Sequence, residues 1–328
     1  MNDHGQLGRD AKSISFSPTP DFVVGLDQVV SLAAGWGHAC ALRQNGSVWC
    51  WGSNDSGQVG DGTTKDRYLP VAVIFPFSGS IPKIGIVRIT AGVDHSCAID
   101  ETNSLYCWGG NSLGEAGLGQ QVLSATAPTL ISFANNVVSV HSGPSAAHTC
   151  AVLADGSMKC WGWNGQGQLG NGLTNTVVWD PTSAPQVQLP QSVTVPYSTS
   201  TNPAGVTSVS MSQYHTCIST DGGDVYCWGI NYRGMVLANG NVTRGTYRTP
   251  QRVTTSSNGI ENITQVSVTP EQTCARRANG TLYCWGGSYG GSPVARETDV
   301  VSISSGGAFE CLFRRDLAGV VKWCVLFR

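Results

Sequence analysis

Charge is scarce in this chain. Asp, Glu, Lys and Arg make up 12% of its 328 residues, about half the ~25% usual in soluble domains. The net charge is −2 and no basic run occurs. That excludes nucleic-acid recognition through phosphate neutralisation. No apolar run approaches the ~18 residues of a membrane-crossing helix, so no membrane insertion is expected. Helical periodicity is missing throughout. The opening residues MNDHGQLGRD offer neither a basic leader nor an apolar stretch, so they do not read as a secretion signal.

Catalytic signatures are missing too. There is no G-x-S-x-G, no H-E-x-x-H and no phosphate-binding glycine loop. Carboxylates are scattered, and none pairs with a His in a way the sequence exposes. No catalytic residue, cofactor or metal is therefore assigned. An active centre assembled from distant loops, for example one acting on a polysaccharide, is the least favoured reading.

Glycine is abundant, at 41 residues, and Ser, Thr and Val are frequent. That mixture suits short strands and tight turns. The twelve cysteines form pairs: Cys40/Cys50, Cys97/Cys107, Cys150/Cys160, Cys217/Cys227, Cys274/Cys284 and Cys311/Cys324. Five pairs share one spacing; the sixth is longer, with the loop RRDLAGV. Before each pair lies an apolar segment, such as VVSLAAG ending at Gly35. His38, His95, His148 and His215 stand two residues before the first Cys in four copies, with Gln272 and Phe309 in the other two.

The spacing predicts a hairpin in each copy. With Cys40 opposite Cys50, Arg43 faces Ser47 and the loop is Gln44-Asn45-Gly46. A three-residue loop wants a left-handed residue third. The same rule puts Asn103, Gly156, Gly223 and Gly280 there, all of types that tolerate positive φ. After the second Cys comes Trp-Gly in five copies, read as a packing wedge followed by a sharp corner. An N-x-x-G-Q-x-G turn follows at Asn54–Gly60 and Asn164–Gly170, degenerate at Asn111–Gly117. Each copy thus offers about four strands that cannot bury both faces alone, so neighbours must stack. Asn2–Gly8 matches Asn54–Gly60, and Trp323-Cys324 matches Trp49-Cys50. That phase suits a ring in which residues 2–8 complete the last blade.

The frame G-x-x-H-x-C-A-L…G-x-V-x-C-W-G-x-N-x-x-G-Q-x-G resembles the repeat of the regulator-of-chromosome-condensation family. The resemblance covers essentially the whole chain. It implies an all-β fold, a β-propeller of six, or seven, four-stranded blades forming one domain over 1–328. The repeat hairpins are expected at 38–52, 95–109, 148–162, 215–229, 272–286 and 309–326. The paired cysteines are similar to those of extracellular members, which implies an extracellular or cell-surface location.

Three readings of the cysteines stay open. Opposed positions on antiparallel strands are within disulfide reach, and such bridges persist in oxidising compartments. A Cys-Cys-His metal site is the second reading, though no C-x-x-C occurs and two copies lack the His. Buried free thiols are the third. The repeating His residues are expected to be hydrogen-bonded to a neighbouring turn. Five N-x-[ST] sequons occur, at Asn45, Asn54, Asn241, Asn262 and Asn279.

Binding is sought in what does not repeat. Trp36, Asp94, Tyr214 and Glu271 precede the His-x-Cys strand, and Trp163, Tyr232, Arg233 and Tyr289 surround the Asn turns. Aromatic and Arg anchors dominate interface energies. The expected function is a non-catalytic interaction propeller, monomeric, recognising a protein or glycan through loops on one face. The alternative implied by the family's namesake is an intracellular guanine-nucleotide exchange factor for a small GTPase.

Overall fold

The computed structural model describes residues 2–9, 16–17, 19, 21–76, 85–119, 121–132, 136–174, 191–193, 205–253, 260–306, 310–315 and 321–322. The chain divides into two compact units, Met1–Ala154 with Asp180–Pro190, and Asp155–Trp179 with Gln191–Arg328.

The first unit holds two four-stranded antiparallel sheets, each with its strands in chain order. One contains β1 (Val29–Ala34), β2 (His38–Arg43), β3 (Val48–Gly52) and β4 (Arg67–Ala72); the other contains β5 (Ile86–Ala91), β6 (His95–Asp100), β7 (Leu105–Gly110) and β8 (Ser124–Leu130). β9 (Val137–His141) pairs with β10 (His148–Leu153) at its end. In the second unit β11 (Met158–Gly162) pairs with β12 (Gln191–Ser192). A four-stranded sheet follows, of β13 (Val206–Met211), β14 (His215–Thr220), β15 (Val225–Asn231) and β16 (Gly245–Arg252). The next has β17 (Ile263–Val268), β18 (Gln272–Arg277), β19 (Leu282–Gly286) and β20 (Val294–Glu297). Three strands close the unit: β21 (Val300–Ser305), β22 (Glu310–Arg315) and β23 (Val321–Lys322). Among the described residues no helix is long and apolar enough to cross a membrane.

The hairpin register is the one the turn chemistry requires. Cys40 lies opposite Cys50, Cys97 opposite Cys107, Cys217 opposite Cys227 and Cys274 opposite Cys284. Arg43 N–H donates to the Ser47 carbonyl at 2.9 Å, closing the three-residue loop. The third loop residues are all left-handed, with φ of 77° at Gly46, 63° at Asn103, 81° at Gly156, 79° at Gly223 and 86° at Gly280. Hydrogen-bonded and open pairs alternate along an antiparallel ladder. Counting three steps from Arg43/Ser47, Cys40/Cys50 falls on an open pair, where backbones approach most closely. The Cα atoms of all four pairs are 4.1 Å apart and each pair is bridged. Cys150, Cys160 and Cys311 are also disulfide-bonded; Cys324 and Trp323 lie outside the described residues.

Each Trp-Gly step does two jobs. Trp108, Trp161, Trp228 and Trp285 are fully buried, and a buried Trp removes ~150–250 Å² from water, worth about 4–6 kcal/mol. The glycine after it has positive φ, 104° at Gly52 and 110° at Gly229. A Cβ on Gly52 would collide with the Gly37 carbonyl, and one on Gly229 with that of Tyr214. Any other residue would push β3 or β15 off its neighbour.

Sheets stack within each unit. β5 packs on β1 and β2, β17 on β13 and β14, and β21 on β17 and β18. The first apolar residue of each stacked strand is sealed: Ile86 is 4% exposed, Ile263 1% and Val300 1%. β1 differs, since its Val29 is 39% and its Leu32 69% exposed.

Candidate functional site

The loop before each His-x-Cys strand and the turn after each Trp-Gly lie at the same end of their sheet, because His38 pairs with Gly52 and His215 with Gly229. We call this the loop end; the three-residue hairpins mark the opposite, hairpin end.

One Asn pins each loop-end turn. Asn54 Oδ1 accepts the Val59 N–H at 2.9 Å, and its Nδ2 donates to the Thr63 and Lys65 carbonyls, both at 3.0 Å. Asn164 does the same with Leu169 and Leu173, and Asn231 with Val236, Asn241 and Thr243. At Asn231, where the N-x-x-G spacing already placed Tyr232 and Arg233 on a turn, Met235 replaces the usual Gln. Asn2 accepts from Leu7 N–H at 2.8 Å, so residues 2–8 form the same turn. All four Asn residues are buried, the most exposed at 2%. The turn is thereby held rigid and its second and third residues project.

A second feature ties neighbouring repeats together. The fifth turn residue offers its backbone carbonyl to the next repeat's Trp: Trp51 Nε1 donates to Gln6, Trp108 to Gln58, Trp228 to Gln168 and Trp285 to Met235. The same carbonyls accept the hydroxyl of the residue just before the first Cys, from Ser96, Thr216 and Thr273, and Thr149 gives its hydroxyl to Glu115. That hydroxyl also meets the His of the preceding repeat. His38 Nε2 lies 2.9 Å from Ser96 Oγ, His95 Nε2 2.7 Å from Thr149 Oγ1 and His215 Nε2 2.8 Å from Thr273 Oγ1. The expected His partner in a neighbouring turn is thus reached through a hydroxyl. His-Ser/Thr-Cys at 95–97, 148–150 and 215–217 was the available signal. Burial pushes His38 down to about 4 and His95 and His215 down to about 3, so these imidazoles are neutral structural parts. Among the described residues no cluster of His, Cys, Asp and Glu is placed to hold a metal.

The eight residues singled out for binding fall into different surroundings. In the first unit Trp36 is 69% exposed and its N–H donates to Gly92. Asp94 lies over Gly110 and shares hydrogen bonds with Glu115 and Ser56. Burial raises both acids, and the Asp94 charge adds to the rise at Glu115. In the second unit Tyr232, Arg233 and Glu271 come together. Arg233 stacks 5.1 Å above the Tyr232 ring and its Nη1 reaches Glu271 Oε2 at 3.4 Å. Their exposure is substantial, with Tyr232 at 41% and the Arg233 and Glu271 side chains at 52% and 61%. Tyr214 is half-buried against the core. Tyr289 packs against the buried cluster that includes Leu282, Val300 and Leu312, under Arg296, 4.8 Å away. Trp163 folds back over Gly165.

Comparison with known proteins gives one consistent result. Models of the regulator of chromosome condensation (RCC1) repeat match residues 29–58, 86–115, 138–168 and 206–234, and also 45–99 and 155–219. The ultraviolet-B receptor UVR8 of Arabidopsis thaliana is 27% identical over 285 residues, which is 87% of this chain and 59% of that protein. Protein pim1 of Schizosaccharomyces pombe is 31% identical over 235 residues, 69% of this chain and 41% of its own. The chain therefore spans about three-fifths or less of these curated relatives. Among solved structures, yeast RCC1 (Prp20) bound to Kap60 superposes with a TM-score of 0.72 at 22% identity, covering 100% of this chain and 75% of that one. Human WBSCR16 gives 0.71 at 18% identity, covering 91% and 79%.

Proposed function

Since the chain belongs to the RCC1-repeat family, we propose that it is a non-catalytic interaction propeller that binds a partner protein, or a glycan, through its loop ends. The observation that carries this reading is the Tyr232–Arg233–Glu271 cluster. It sits on a turn that Asn231 holds rigid, and it does not recur in the other repeats. Rigid presentation lowers the ordering cost of binding, and exposed Tyr and Arg are the residue types that anchor interfaces. Trp36 supplies a similar exposed anchor. Asp94, Trp163, Tyr214 and Tyr289 border these anchors and are proposed as secondary contacts.

We read the scaffold as one six-bladed, monomeric ring over 1–328, closed by the N-terminal segment. Three features support this. Residues 2–8 already serve Trp51 as a preceding repeat's turn would, and the last described sheet has three strands where its neighbour has four. The apolar pair Val29 and Leu32 on β1 also calls for a covering sheet. The bridged cysteines support a secreted or surface-exposed site of action.

A direct test is biolayer interferometry of the immobilised chain against panels of extracellular protein domains and glycans. A binder lost on Tyr232→Ala and Arg233→Ala is expected. Binding that ignores every loop-end variant overturns the reading. The exchange-factor alternative draws on the likeness to Prp20, a protein whose structural study concerns binding to Gsp1p and histones. Accelerated nucleotide release from a small GTPase would install it instead.

A further inference from the structure

The five sequons are not equivalent once folded. Asn54 is 0% exposed, and both ends of its amide are committed inside the turn it pins. A glycan on Asn54 Nδ2 would remove a donor proton from that cluster and force a sugar into a sealed turn. Asn45, Asn241, Asn262 and Asn279 are exposed. Three of them share a geometry in which Oδ1 accepts the backbone N–H of the sequon hydroxyl residue: Asn45 from Ser47 at 3.0 Å, Asn241 from Thr243 at 2.9 Å and Asn279 from Thr281 at 3.0 Å. Among the described residues none of the four exposed Nδ2 atoms is engaged in a hydrogen bond.

Their positions follow from the topology. Asn45 and Asn279 are the middle residues of three-residue hairpin loops, so they sit at the hairpin end of their sheets. Asn262 precedes β17, whose first residue pairs with Arg277 at the hairpin end. Its own φ of 53° points to the same tight corner, against Gly223. Asn241 is at the loop end, in the connection between β15 and β16.

We propose that Asn45, Asn241, Asn262 and Asn279 are N-glycan acceptors and that Asn54 is not. This rests on the secreted reading given above. The donor is an oligosaccharide on a lipid pyrophosphate. The amide Nδ2 forms a bond to the sugar C1, the C1–O bond to pyrophosphate breaks, and that oxygen leaves with the electron pair while the amide loses one proton. Three of the four glycans would stand at hairpin ends. In each sheet the hairpin end lies opposite the loop end, so these three glycans would leave the loop ends that carry Trp36 and the Tyr232 cluster open to a protein.

The test is secretion of the full chain from a eukaryotic cell, glycan release in heavy-oxygen water, and peptide mapping under non-reducing conditions. Each released site converts Asn to Asp with a heavy-oxygen label. Labels at residues 45, 241, 262 and 279, with Asn54 unlabelled, are expected. Any of the four found bare on most chains, or a label at 54 in bridged protein, overturns the proposal. Bridged cysteines with bare asparagines defeat this inference alone, whereas twelve free thiols defeat the secreted reading. Because Asn54→Gln also disturbs the turn, the informative variants are Ser47→Ala and Thr281→Ala. They remove the sequon hydroxyls on the exposed hairpins, and each should lower the secreted mass by one glycan.

Discussion

Thr273 Oγ1 stands 2.8 Å from His215 Nε2 and 2.8 Å from the Met235 carbonyl. A hydroxyl has one proton, and a carbonyl can only accept. Thr273 therefore gives its proton to Met235 and must receive one from His215, which fixes the imidazole as the Nε2–H tautomer. Ser212 Oγ, 3.0 Å from His215 Nδ1, then donates to the bare nitrogen. Every polar atom in this buried chain has a defined role. Replacing Thr273 by Val keeps the shape but strands the His215 N–H, and an unmet buried donor costs about 1–3 kcal/mol. Chemical denaturation should show that loss for Thr273→Val and little change for Thr273→Ser. An equal loss in both variants would mean that packing, not the hydroxyl, matters.

The same histidines set the response to acid. His38, His95 and His215 are held down to about 4, 3 and 3 by burial, below the ~6.5 of an exposed imidazole. Between those values the unfolded chain binds protons that the folded chain refuses. Stability is thus complete above pH ~6.5 and falls as the pH drops towards 4. Thermal melts from pH 7 to pH 4 should show a steep decline that is shallower in His215→Gln. Gln occupies the matching position at Gln272 and does not titrate.

Glu115 works in the opposite direction. Burial and the neighbouring Asp94 raise its carboxyl from 4.5 to about 7. The folded chain therefore holds a proton that the unfolded chain releases, and stability declines as the pH rises from about 4.5 through about 7. Gln fills the same turn position at Gln6, Gln58 and Gln168, so Glu115→Gln keeps the turn while removing the charge. Its melting temperature should exceed that of the parent at pH 8 and converge with it near pH 4.5. A lower value at pH 8 would show that the carboxylate is needed there.

These contacts mark how far the sequence can be read. The hairpin register was legible because two local constraints agreed: the Cys40/Cys50 spacing and the left-handed residue at Gly46. The Asn54 and Asn164 turns were legible through their glycines. At Asn231 the N-x-x-G spacing marked the turn, but the role of Met235 was hidden, because the fold uses its backbone carbonyl, and a carbonyl leaves no mark in the residue type. The His–hydroxyl contact was hidden for another reason. His38 and Ser96 are 58 residues apart, and stacking decides that they meet. Surroundings were equally hidden: Trp36 and Asp94 hold similar places before their strands, yet one is open to solvent and the other shares hydrogen bonds with a second acid.

Trp36, Tyr232 and Arg233 should separate function from stability. Trp36 is 69% exposed, and the Arg233–Glu271 pair has both side chains more than half open to water. Exposed ion pairs contribute about 0–1 kcal/mol, and surface substitutions away from caps and cores usually stay within about 0.5 kcal/mol. Removing these side chains should therefore leave the melting temperature nearly unchanged. Anchors of an interface behave differently, because truncating one typically costs 2 kcal/mol or more of binding energy, roughly thirtyfold in affinity. The variant Trp36→Ala and the double variant Tyr232→Ala/Arg233→Ala should each keep the parent's melting profile while weakening capture of a bound partner by at least that factor. Trp108→Ala provides the contrast: it empties a buried site between repeats and should lose stability first. If the Trp36 and Tyr232/Arg233 variants bind as the parent does, the anchors lie elsewhere on the molecule.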